Sequence, residues 1–371
     1  MSKQTKLKVG LLTYHRNYNY GWNLQCWALL TVLKELGYEP TLIDKRLFYR
    51  YRINKNDFKF ILKKICGLKA KNPYEYRIET VGKNVIPFFD AYLKPRTMPI
   101  FSSKELHDLD LFDAYVVGSD QLWRSKWVNP IEAYFLNFVR HPCIKLSYAA
   151  SFGNSRFEYT PRQINSCKKL IESFNAVSLR ETDGIDVIRH YKWNINPIVM
   201  PDPTLLLSKN QYLNGIDLCK YDDEAKNQIF AYILDDSEDK QKALHIIEDK
   251  LKLESSIFHF YPKRGDSVQP LEKWLASFKN AKFVFTDSFH GCVFALIFRK
   301  PFIVYGNAMR GLSRFTTLLT TFDESSRLIF SSQDIKPDCY KLMISLDETK
   351  VNEKQEALMW KGRHFLKSNI G

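Results

Sequence analysis

The chain has little that would cross-link it or hold a metal. Its seven cysteines (Cys26, Cys66, Cys143, Cys167, Cys219, Cys292 and Cys339) are dispersed, odd in number and form no C-x-x-C pair. That set suits reduced core thiols in the cytosol better than a disulfide framework or a zinc site. The histidines show no H-E-x-x-H or related spacing, so no metal site is expected. No window approaches the roughly eighteen apolar residues of a transmembrane helix. The opening MSKQTKLKVGLLTYHR has a basic lead but no long apolar stretch and no cleavage site, so no signal peptide is expected. The phosphate-cradling pattern G-x-G-x-x-G is missing as well. The first apolar run, VGLLTY (9–14), is followed by HRNYNYGWN, with Gly21 as the one glycine before the next helix. Low-complexity tracts and internal repeats are absent. These gaps point to a cytoplasmic globular protein with no cofactor.

Positive charge is plentiful. The formal net charge is +14 over 371 residues. Such a surplus fits nucleic acid, an anionic membrane face or phosphorylated substrates. It is concentrated in residues 45–83, where twelve Lys or Arg meet three acids. Within that stretch Phe58, Ile61, Leu62 and Ile65 share one helical face, with Lys59, Lys63 and Lys64 off it. This pattern reads either as a helix lying on the cytoplasmic membrane face or as a helix packed on the protein's own core. No RRM, helix-turn-helix or KH signature accompanies the charge, so nucleic-acid binding is the weaker reading.

Short apolar runs recur at 9–14, 114–119, 144–151, 176–180, 197–201, 229–234, 283–287 and 301–306. They alternate little, as strands buried on both faces of a parallel sheet do. Helical patterns separate them. Cys26, Leu29, Leu30 and Leu33 lie at helix spacing before Gly37, and Leu271, Trp274, Leu275 and Phe278 repeat the pattern. The fold class expected is α/β, with two Rossmann-like domains. A boundary is placed after Pro201-Asp202-Pro203, because the prolines disfavour helix and 208–227 shows few core signals. This gives an N-terminal domain at 1–205, a second at 206–345, and a last helix in 346–371 that packs back on the first domain.

Ligands of open parallel sheets bind beyond the carboxyl ends of strands. The first such end offers Asn19, Gly21 and Asn23, either as sugar contacts or as an ordinary capped turn. The run AYVVGS is followed by Asp120, Gln121, Trp123 and Arg124, a plausible sugar site or turn chemistry beside a core tryptophan. AVSL ends on Arg180 and Glu181, where an arginine needs an anionic ligand or a buried acid as its partner. FVFT is followed by Asp287-Ser288-Phe289-His290-Gly291. There a capped helix N-terminus attracts phosphate and a histidine is suited to proton transfer, unless it merely bonds a loop.

At these residues the sequence resembles the polysaccharide pyruvyl transferase family. The pieces occur in family order: NYGWNLQCWALLTVLKELGYEPTLID (19–44), FDAYVVGSDQLW (112–123), LSYAASFG (146–153), VSLRE (177–181), MPDPTLLL (200–207) and TDSFHGCVFALIFRKPFIVY (286–305). The resemblance implies a GT-B-like glycosyltransferase architecture with the active site between two halves. It also implies transfer of a pyruvate ketal from phosphoenolpyruvate, a co-substrate rather than a cofactor, to a sugar of a lipid-linked bacterial surface-polysaccharide precursor. On this reading His290 and Asp120 are catalytic. Arg180, Ser288, Phe289 and Gly291 bind the donor, and Asn19, Gly21, Asn23, Gln121 and Trp123 face the acceptor. Ser288 stands where many relatives carry arginine, so Arg299, Lys300, Arg310 or Arg314 is expected to complete the phosphate clamp. Arg124 replaces a polar amide common in close relatives. The competing readings are a GT-B glycosyltransferase that uses a nucleotide sugar, a basic nucleic-acid-binding protein, and an intact fold with a degenerate site.

Overall fold

The computed structural model describes residues 6–14, 16–46, 73–109, 111–128, 130–153, 156–260, 265–306, 311–336 and 345–371. The Phe58–Ile65 stripe and Arg310 lie outside them.

Two parallel sheets organise the chain. The first has six strands: β1 (Lys8–Leu12), β2 (Glu39–Leu42), β3 (Ala114–Asp120), β4 (Ile144–Ala150), β5 (Ala176–Leu179) and β6 (Ile198–Val199), in the order β2-β1-β3-β4-β5-β6. The second has β7 (Ile229–Ile233), β8 (Ser255–His259), β9 (Phe283–Thr286), β10 (Phe302–Tyr305) and β11 (Leu328–Ile329), in the order β11-β10-β9-β7-β8. Every pairing is parallel, with helices in the crossovers. All eight apolar runs became strands. The order in which strands are added reverses between β1 and β3 in one sheet and between β7 and β9 in the other. Those are the crevices where open α/β sheets bind ligands.

Five helices matter for the site: α1 (Tyr20–Glu35), α2 (Leu271–Asn280), α3 (Phe289–Ile297), α4 (Ser313–Thr321) and α5 (Glu348–Ile370). Helix α1 begins at Asn19, whose side chain accepts from the Trp22 amide at 3.1 Å. Helix α3 begins at Ser288, whose hydroxyl accepts from the Gly291 amide at 3.3 Å. Each cap satisfies one of the free amides of a first turn. All nine residues of α3 are buried, so its apolar character on every side seats it inside the molecule.

The halves are not separately packed. One hydrophobic cluster takes in Val9 and Leu11 of the first sheet together with Phe230 and Val304 of the second. Tyr20 of α1 packs against Tyr232 and Trp274 of the second half. The connecting stretch also joins this core. Tyr212, Ile216 and Leu218 are buried there, so 208–227 carries more core than its polar composition suggested. Helix α5 returns to the first half: Arg363 donates to Glu35 Oε2 at 2.6 Å, and the Tyr38 hydroxyl donates to the carbonyl of Gly371, just past the helix, at 3.0 Å. Among the described residues, no helix is long and apolar enough to cross a membrane.

Candidate active site

The strand ends of the two sheets meet at a buried cluster of charge. Arg180 follows β5, Asp202 follows β6, Asp120 ends β3, and His290 sits in the first turn of α3. Arg180 Nη1 donates to Asp202 Oδ2 at 2.9 Å, its Nη2 to Asp120 Oδ1 at 3.2 Å, and its Nε lies 3.8 Å from Glu181 Oε2. His290 Nε2 lies 3.5 Å from the same Asp202 Oδ2, a long contact with room to tighten. The other Asp202 oxygen accepts from the Thr204 amide at 3.0 Å and hydroxyl at 2.7 Å. Burial works to raise the Asp202 pKa, but His290, Arg180 and Thr204 outweigh it and hold the carboxyl well below its usual range. Burial likewise works against the Arg180 charge, and Asp120, Asp202 and Glu181 more than restore it. Arg180 is therefore paired by buried acids of the protein itself.

Two further residues fix this geometry. Asp120 has φ +80°, uncommon for a residue with a side chain, while its Oδ1 accepts from both Arg180 and the Gln121 amide. Glu181 is held by the Ser151 hydroxyl at 2.7 Å and the Phe152 amide at 3.2 Å.

A second cation stands beside the first. Arg314 of α4 is buried, and its guanidinium lies 5.6 Å from the Phe289 ring centroid, while Arg180 lies 4.9 Å from the same ring. Burial, and then the Arg180 charge, push the Arg314 pKa down to about 10, with Glu181 and Asp120 opposing. Among the candidates for the missing phosphate-clamp arginine, Arg314 is therefore at the site. Arg299 is not, because its guanidinium caps the carbonyls of Leu296 and Ile297 at the far end of α3 and reaches Gln355. Lys300 follows it at that same end. A cavity of about 90 Å³ opens beside the cluster, lined by Arg180, Asp202, Phe289, Arg314, Leu358 and Lys361 among others.

The expected acceptor residues divide. Asn19 and Gly21 start α1 directly opposite α3. A Cβ at Gly21 would stand 2.0 Å from His290 Nδ1, so this glycine makes room for the imidazole rather than presenting an amide to a ligand. Asn23 is fully buried and ties the loop, donating to the Asn17 carbonyl at 3.2 Å and the Asn19 carbonyl at 2.8 Å. Trp123 must be corrected. It is 0% exposed, its indole N–H donates to the Tyr134 carbonyl, and its ring stacks on Phe135 at 5.0 Å, so no face is open to a sugar. Gln121 is buried as well and accepts from Arg124 at 3.3 Å. Ser288 caps α3, and Gly291 fits against Thr286, where a Cβ would meet Oγ1 at 2.3 Å.

Sequence reasoning missed Asp202, Glu181, Thr204 and Arg314's neighbour-to-neighbour placement with Arg180. Asp202 had a signal, an acid between two prolines at a strand end, but it read as a boundary. Asp287, beside His290, belongs to the scaffold. It accepts from the Leu234 and Asp235 amides and pairs with buried Lys240 at 2.6 Å. Among the described residues, no three His, Cys, Asp or Glu are grouped to hold a metal ion.

A sequence model of the polysaccharide pyruvyl transferase family matches residues 19–308, taking in every residue of this cluster except Arg314. The chain belongs to that family. Membership makes it one of a family of transferases and implies a sugar acceptor. No match was found among curated protein sequences. Solved structures show the fold. A UDP-N-acetylglucosamine 2-epimerase is 13% identical with a TM-score of 0.54, covering 96% of this chain and 95% of its own. The Rickettsia bellii UDP-N-acetylglucosamine 2-epimerase is 9% identical at TM-score 0.51, over 99% and 97%. UGT89C1 from Arabidopsis thaliana, solved with UDP, is 12% identical at 0.50, over 98% and 100%. The pyruvyl transferase family member thus has the GT-B-type, two-domain α/β architecture.

Proposed function

We propose that the chain transfers a pyruvyl group from phosphoenolpyruvate to two hydroxyls of a sugar, closing a cyclic ketal and releasing phosphate. The observation that carries this reading is the His290–Asp202–Arg180 chain with Arg314 beside it. Two buried guanidiniums at one phenyl ring repel each other, and an anionic donor between them relieves that repulsion. His290, polarised by Asp202, gives a proton to the methylene carbon of the donor. A sugar oxygen bonds to C2, and its hydroxyl proton leaves to a base. The second hydroxyl oxygen then bonds to C2 as the bond from C2 to the phosphate oxygen breaks, and its proton leaves with the phosphate. Positive charge fixed around the donor carboxylate and phosphate acts most strongly where water is excluded.

The acceptor is read as a lipid-linked precursor met at the inner membrane face, because the basic segment 45–83 supplies the charge for such docking. Liposome flotation with anionic lipid tests this. The wild type should float at low salt, and a Lys59→Glu, Lys63→Glu, Lys64→Glu variant should not.

The central test is calorimetric titration with phosphoenolpyruvate, followed by mass spectrometry of products from galactose, glucose and mannosamine acceptors. Phosphoenolpyruvate should bind the wild type and His290→Ala, with turnover of the variant lower by about a hundredfold or more. Arg314→Ala should lose donor affinity. Binding of nucleotide sugars in place of phosphoenolpyruvate would replace this reading by that of a glycosyltransferase.

A further inference from the structure

Seven residues past the end of β3, the side chain of Trp127 is 38% exposed. The backbone beneath it is anchored, since Tyr14 donates its hydroxyl to the Trp127 carbonyl at 3.0 Å. The Arg124 guanidinium lies 4.3 Å from the indole centroid. Arg124 also faces the catalytic cluster. It donates to Gln121, the neighbour of Asp120, and its charge helps lower the Arg314 pKa. Two tight glycine contacts close the distance between them. A Cβ at Gly153 would lie 3.1 Å from Arg124 Cδ, and one at Gly311 would lie 2.3 Å from the Gly153 carbonyl and 3.7 Å from Arg314 Nε. Arg124 therefore spans from the donor cations to an exposed aromatic face. Arg124 and Lys126 both approach Glu158 Oε1, at 3.5 and 3.8 Å, so two cations face that one carboxylate.

We propose that Trp127 and Arg124 form the acceptor subsite and take a pyranose that carries a phosphate, the ring against the indole and the phosphate at Arg124. This rests on the reading of the chain as a sugar-directed transferase and deepens it. The indole offers an apolar plane to the C–H face of a sugar and discriminates little between pyranoses. Specificity then falls to Arg124, whose planar fork matches phosphate oxygens. The site expected at Trp123 is thus supplied by the tryptophan four residues later.

Saturation-transfer NMR on the full chain, without phosphoenolpyruvate, tests this with N-acetylglucosamine 1-phosphate, its phosphate-free methyl glycoside, UDP-N-acetylglucosamine and farnesyl-diphosphate-linked N-acetylglucosamine. The 1-phosphate should show transfer to its ring protons and bind more tightly than the methyl glycoside. Trp127→Ala should weaken it by about three- to tenfold, the size of one aromatic contact, and Trp127→Phe should restore most of that. Arg124→Met should erase the preference for phosphate. The ranking of the nucleotide-linked and prenyl-linked forms identifies the source of the phosphate. Absence of transfer in the wild type, or full-strength transfer in Trp127→Ala, overturns the proposal. Because no donor is present, failure here leaves pyruvyl transfer standing, and a failure to bind phosphoenolpyruvate leaves this subsite standing.

Discussion

Replacing Gly21 by alanine adds one methyl group where the two halves touch through His290. The new Cβ would lie 2.0 Å from Nδ1, 2.2 Å from Cγ and 2.7 Å from Cε1 of the imidazole. Carbon atoms in ordinary contact stay about 3.5 Å or more apart, so the ring or the helix must retreat by roughly 1.5 Å. His290 Nε2 is 3.5 Å from Asp202 Oδ2, and a retreat of that size takes the imidazole out of its present alignment with that carboxylate. Turnover should then fall by about 10²- to 10⁴-fold, the usual worth of a general acid. Stability gives an independent sign. Near the start of α1, alanine should favour the helix by about 0.5–1 kcal/mol over glycine. Overpacking a buried contact costs about 1–3 kcal/mol, so the variant should be less stable despite its better propensity. Urea denaturation reads the stability, phosphate release in the presence of acceptor reads the turnover, and histidine NMR reports displacement of the ring. A Gly21→Ala protein that is more stable than wild type, with an unmoved His290 signal, would refute the packing argument.

Two other perturbations follow from buried charges. Asp202→Asn removes the carboxylate that Arg180 and His290 share, and loss of one partner from a buried pair costs about 3–5 kcal/mol. The carboxyl's pKa is lowered in the folded state, so its stabilisation is present above the unfolded value near 4 and is lost as pH falls below it. The stability gap between wild type and variant should accordingly be full at pH 7 and shrink under acid in denaturant titrations. Lys45 behaves in the opposite sense. It is buried against Tyr134, and burial lowers its pKa from 10.5 to about 7. A base with a lowered folded pKa is penalised fully below that value, and the penalty vanishes above the unfolded one. At about 1.4 kcal/mol per pH unit, Lys45→Met should stabilise the protein by a few kcal/mol at pH 6 and by little at pH 10. An equal effect at both values would show that Lys45 does not titrate in this range.

The interior of both sheets was legible because strands covered on two faces must be apolar throughout. The three strands missed are all at edges. β2 reads Glu-Pro-Thr-Leu, β8 has four of its five residues at least partly exposed, and β11 spans two residues. An edge strand needs neither a continuous apolar run nor a donor on its outer side, so its sequence carries less pattern. At the site, His290 and Arg180 were visible as polar groups placed at the ends of apolar runs. Asp202 was hidden by its prolines, which serve equally well as a chain boundary and as a rigid mount for a carboxylate. Trp123 and Trp127 differ only in which one faces inward, and that depends on the turn after Asp120 rather than on any local spacing.

The apolar cluster shared by the two sheets, beside the cluster that each half keeps to itself, also bears on how such a protein changes over time. If no apolar cluster joined the halves, a donor half could be exchanged for another by recombination, and new activities would come from shuffling. Here Tyr20 of α1 packs on Trp274 of α2, and Gly21 is shaped to the ring of His290, so a transplanted half would meet a foreign surface at the point where chemistry occurs. New acceptors are reached more easily by drift in the loops beyond the strand ends, where Trp127 stands exposed and the core places few demands on what replaces it.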